Sequence, residues 1–196
     1  MRLFHVSFDI VENFTPRIPP DWARMEGENA TIPRICVAKN IADCLNGMPL
    51  AGETVKKMEA LGIPVIIHVY EFEAERPYVM SNKEVSVYVP DAELTGEMWI
   101  LSHGKLVGRT DYELTNIEYK ETRLFLADRC FITKFDAKKV RFSDNVRNLM
   151  DRVGYVEENR ELVYGMMVEK TFTSVVNAMY KDFLEILERK KSYAEN

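Results

Sequence analysis

The chain has 196 residues, 46% of them hydrophobic and 29% charged, with 26 Lys+Arg against 31 Asp+Glu and a formal net charge of −5. That is the composition of one soluble globular domain, long enough to bury a core without disulfides or metals, and it excludes collagen, coiled coil and wholesale disorder. Apolar runs such as IPVIIHVY at residues 63–70 fall far short of the roughly 20 residues a membrane helix needs, so no membrane span is expected. The opening MRLFHVSFDIVENF carries His5 and Asp9 where a secretion signal would need an apolar centre, which points to a cytoplasmic protein. The three cysteines, Cys36, Cys44 and Cys130, are odd in number and form neither a CxxC nor a Cys/His cluster. They are expected as buried thiols.

In chain order, the period-2 alternation of Leu3, His5 and Ser7 with Phe4, Val6 and Phe8 predicts a strand at the start, with His5 turned away from the Phe face. Residues 13–33 hold four of the eight prolines and are expected to form a long loop, a length often found in binding loops and lids. RICVA at residues 34–38 predicts a short buried strand, and Asn40 caps a helix that Gly47 and Pro49 stop. A second helix is expected over residues 53–61, closed by Gly62 and Pro64. The β-branched run at residues 65–74 predicts a strand, and further strands are expected at 85–89, 98–101, 123–127 and 130–135. From residue 144 the apolar spacing turns helical, and a last long helix is expected over about residues 161–191. The pattern is a single α+β domain, residues 1–196. A mostly antiparallel sheet with short helices and the Pro-rich loop fills residues 1–143, and helices at 144–196 pack on it.

The three histidines, His5, His68 and His103, lack metal-ligand spacing, so no metal is expected. GxxxxGK[ST], GxGxxG and GxSxG are all missing from the sequence, which removes the signatures of P-loop hydrolysis, Rossmann redox chemistry and the α/β-hydrolase mechanism. What remains is His5 on the first strand, the arginines Arg17, Arg24 and Arg34, and the acidic turn DAELTGEMW at residues 91–99. A strand-borne His can present a ring nitrogen to a ligand, arginines dock phosphate, and a carboxylate stabilises developing positive charge on a sugar. The opposing reading gives His5 a packing role, has the arginines pin the loop, and makes Glu97 an ordinary strand residue.

The opening LFHVS, the strand and short helix RICVAKNIADCL and the strand VIIHVYEFEA resemble the first half of the small ADP-ribosyltransferases, some of which are phage-encoded and disable bacterial defences. HVS stands where that family carries HGT, and Cys36 and Ala38 stand at its second motif. The resemblance implies that NAD is the substrate and that a bacterial protein is the target. By position it implies that His5 contacts the adenosine ribose or the nicotinamide amide, and that Glu97 stabilises the oxocarbenium-like ribose. Arg17 and Arg34 would hold the pyrophosphate, and the Pro-rich loop would close over the dinucleotide.

Two readings stand beside it. An acidic face including Glu71, Glu73, Glu75, Glu93 and Glu97 could mimic phosphates and block the basic cleft of a host defence nuclease, in the manner of an anti-CRISPR protein. The segment KFDAKKVRFSDNVR at residues 134–147, with His5 or His68, could instead serve RNA processing by phosphate contact and stacking. A pI near 5.4 argues against broad capture of nucleic acid. The oligomeric state is left open.

Overall fold

The computed structural model describes residues 1–61, 63–115, 117–120, 123–125, 131–134 and 172–194. The helices expected at 144–171, Gly62, Cys130 and most of the basic stretch at 134–147 lie outside these. The architecture is α+β, with antiparallel strands in the N-terminal part and a long helix at the C-terminus. Among the described residues no helix is long and apolar enough to cross a membrane.

Strand β1 (Arg2–Ser7) is followed by β2 (Ile35–Val37), helices α1 (Ile41–Gly47) and α2 (Ala51–Leu61), β3 (Val65–Glu73), β4 (Val79–Met80), the short helices α3 (Asn82–Val85) and α4 (Ala92–Thr95), and β5 (Met98–Ile100). Strands β6 (Lys105–Thr115), β7 (Glu118–Lys120), β8 (Arg123–Phe125) and β9 (Phe131–Lys134) precede helix α5 (Phe172–Ala194). The larger sheet has the order β1-β3-β6-β9, a smaller one β2-β5-β4, and β7 with β8 makes a separate ribbon. Residues 13–33 are irregular, as their prolines demand, apart from a 3-10 turn at Asp21–Ala23.

Local chemistry explains most boundaries. Asn40 accepts a hydrogen bond from the Asp43 amide at 2.8 Å and so caps α1. On α2, Ala51, Val55, Met58 and Leu61 recur at helical spacing and are fully buried. They join Ile67 and Val69 of β3 and Val176 and Met179 of α5 in the largest core cluster, so α5 packs on α2 as part of the core. Lys57 Nζ adds a 2.8 Å hydrogen bond to Asn177 Oδ1.

The strand expected at residues 85–89 is instead helix α3 and the turn that follows it. Ser81 and Glu84 form a capping box in which the Ser81 amide donates to Glu84 Oε2 at 2.7 Å. Val85 and Val89 are 0% and 1% exposed while Val87 is 78% exposed, a period of four rather than two. The longest strand, β6, corresponds to no expected element. Its first five residues are exposed, so no apolar alternation marks it.

Strand β1 is covered on both faces. Val6 and Phe8 enter the largest cluster with helix α2, while Leu3 on the opposite face packs with Tyr70 and Phe72 of β3 and with Ile35, Val37, Met98 and Ile100 of the small sheet. The two sheets therefore meet face to face over Leu3. The far side of the small sheet carries Cys36 and Trp99, which pack against Val85, Val89 and Ala92.

Candidate functional site

The backbone of β1 pairs with the residue that follows β2 at a single bridge. Phe4 and Ala38 exchange both backbone hydrogen bonds, at 2.8 and 2.9 Å, and beyond this bridge the strands belong to different sheets. Two residues on, Cys36 would form the next hydrogen-bonded pair of a continuing antiparallel ladder. Its carbonyl instead accepts from the ring of His5, with Nδ1 at 2.8 Å. A carbonyl only accepts, so Nδ1 carries the proton and Nε2 of the neutral ring is left as an acceptor. Burial lowers the His5 pKa, the hydrogen bond to Cys36 opposes that, and the Arg17 charge adds to the lowering. His5 is therefore neutral at pH 7.

Aromatic rings frame this notch between the sheets. Phe14, from the start of the long loop, lies edge-on to His5 at 5.1 Å, to Tyr70 at 4.8 Å and to Phe72 at 4.9 Å. The Tyr70 ring is 6.1 Å from His5, and its hydroxyl accepts from the Val11 amide at 2.7 Å. The first residues of the loop thus fold back over the His5 face of the sheet.

Arg17 and Arg34 are brought together by their backbones, which pair at 3.1 and 2.9 Å, but their side chains part company. Arg17 is exposed. The Arg34 side chain has no exposed surface: it pairs with Glu28, donates to the Ile32 carbonyl at 2.9 Å, and stacks on Trp99 with its guanidinium carbon 4.1 Å from the ring centroid. Trp99 Nε1 in turn donates to Glu97 Oε1 at 2.7 Å. Burial raises the Glu97 pKa against the hydrogen bonds from Trp99 and Cys36 that hold it down. Burial also pushes the Cys36 thiol well up, with Glu97 adding to the effect.

Arg34, Cys36, Glu97 and Trp99 form one cluster on the outer side of the small sheet, whereas His5 lies on the side facing the large sheet. The Cys36 backbone joins His5 to that cluster. His5 and Arg17 remain as the two expected residues at the notch.

The side chains that share the notch with His5 were not singled out together from sequence. His5, Tyr70 and Arg109 are opposite one another on β1, β3 and β6, and Ser7, His68 and Asp111 form the next row. His68 Nδ1 lies 2.8 Å from Asp111 Oδ1, and Arg109 Nε lies 3.2 Å from the same oxygen. Burial raises the Asp111 pKa, but His68 and Arg109 outweigh it and leave the carboxyl below its usual value. A signal was present, since His68 is the one polar residue inside the apolar run VIIHVY. Its partner lies 43 residues away on an unexpected strand.

Among the described residues, no group of three His, Cys, Asp or Glu side chains could hold a metal ion. A scan against protein-family models and searches of curated proteins and of solved structures found no match.

Proposed function

We propose that this chain binds NAD in the notch between its two sheets, as a protein of the ADP-ribosyltransferase type. The observation that carries this reading is His5. Its ring is fixed by the Cys36 carbonyl as a neutral tautomer whose remaining nitrogen accepts hydrogen bonds, which suits a ribose hydroxyl or a carboxamide N–H. Phe14, partly exposed beside it, offers aromatic surface for a base or a nicotinamide ring, with the buried Tyr70 ring behind. Arg17, exposed and close enough to bias the His5 proton, suits the pyrophosphate.

Within this reading Arg34 and Glu97 stiffen the wall behind the notch, because their side chains are engaged with Glu28 and Trp99. Transfer of ADP-ribose to a bacterial protein is the activity this proposal implies. Calorimetric titration of NAD into the wild type and His5→Ala tests binding, and labelled NAD in a bacterial lysate tests transfer. Binding lost in a folded His5→Ala protein supports the assignment. Equal binding by both proteins removes His5 from it.

A further inference from the structure

The row next to His5 holds a different kind of chemistry. Ser7 on β1, His68 on β3 and Asp111 on β6 are direct cross-strand partners, so their side chains project from the same face of three adjacent strands. The His68 side chain has no exposed surface and its Nδ1 is bonded to Asp111. A carboxylate at Nδ1 holds the proton there and makes Nε2 the basic nitrogen. In a five-membered imidazole, Nε2 lies on the side of the ring away from Nδ1. With Nδ1 bonded to Asp111 on β6, Nε2 points away from Asp111 and leans to the β1 side, where Ser7 stands.

One of these groups has an unmet need and the other has a proton to offer. Nε2 of His68 is buried with no hydrogen-bond partner among the described residues. The Ser7 hydroxyl accepts from the Asp9 amide at 3.1 Å, which uses a lone pair and leaves its proton to give. A single χ1 step between staggered wells re-aims a serine hydroxyl. Donor and acceptor are therefore neighbours.

We propose that Ser7, His68 and Asp111 form a nucleophile, general base and positioning carboxylate for acyl transfer from a carboxylic ester. Ser7 Oγ attacks the ester carbonyl and its proton passes to His68 Nε2. The bond to the alcohol oxygen breaks, that oxygen takes the bonding pair and the His68 proton, and the acyl group stays on Ser7. Water, deprotonated by His68, then releases the carboxylic acid and restores the serine. Asp111, with its pKa held low, remains ionised and keeps the ring in the working tautomer.

The test exposes the full chain to a fluorophosphonate probe, in which Ser7 Oγ displaces fluoride at phosphorus, and locates the adduct by peptide mass spectrometry. The expected result is one adduct on Ser7 of the wild type, which needs no variant to fold. His68→Gln should slow labelling about 100-fold or more, the usual worth of a general base. Asp111→Asn should slow it and displace its pH profile, which a purely structural loss would not do. No adduct on the wild type, or an adduct on another serine, overturns the proposal. Labelling at an unchanged rate in folded His68→Gln overturns it too. NAD titration is a separate measurement, so either proposal can fail while the other stands.

Discussion

Removing the charge opposite Arg34 should be one of the most damaging single changes available to this chain. The Arg34 side chain is 0% exposed and that of Glu28 is 8% exposed, so neither charge is solvated in the fold. Glu28→Ala leaves the guanidinium buried against Trp99 without its ion-pair partner, held by the Ile32 carbonyl and the neighbouring Cys36 and Glu97 side chains. Breaking a buried pair from one side costs about 3–5 kcal/mol, because the surviving charge stays desolvated. At about 2–4 °C per kcal/mol for a chain of this size, the melting temperature should fall by about 6–20 °C. The same loss should appear as a lower urea midpoint at unchanged slope. Replacing both partners with apolar side chains, as in the Arg34→Met, Glu28→Met double variant, should recover most of it. A fall below about 1 kcal/mol for Glu28→Ala, the worth of an exposed pair, would refute the claim that this pair is sealed in the structure.

Other consequences are equally open to measurement. Met179→Ala on α5, whose side chain is buried against α2, should cost about 2–5 kcal/mol by chemical denaturation, and a neutral result would detach α5 from the core. Asn40→Ala should cost about 1 kcal/mol through loss of the α1 cap. The folded-state pKa of His5 is depressed below its ordinary 6.5, so the unfolded chain binds the extra proton between those two values. Stability should therefore fall as pH drops below about 6.5, and His5→Gln should flatten that slope relative to wild type when the two are compared by thermal melts. Burial pushes Cys44 up to about 12 and Cys36 well above its usual value, so both should resist iodoacetamide at pH 8 in the folded protein and react on unfolding.

Sequence patterning was most informative where one local rule decided the outcome. The alternation at β1, the Asn40 cap, the apolar face of α2 and the β-branched run of β3 each carry their element in a few adjacent residues. The pattern was silent at β6, whose exposed leading half carries no apolar alternation, and misleading at residues 85–89, where β-branched composition hid a Ser81–Glu84 capping box. The site was legible only in part for the same reason. His5 could be marked from its strand, but which side of the small sheet Glu97 faces depends on the pairing of Cys36 with Trp99 and of β2 with β5. The Ser7, His68 and Asp111 row needs the register of three strands at once, and one of them left no trace in the pattern.

The central claim is that His5, at the point where the two sheets part, binds NAD. Calorimetric titration of NAD into the wild type and into His5→Ala, with melting curves to show that both are folded, tests it most directly. The account predicts saturable heat with the wild type and none with His5→Ala. No heat from the wild type at millimolar NAD would contradict it.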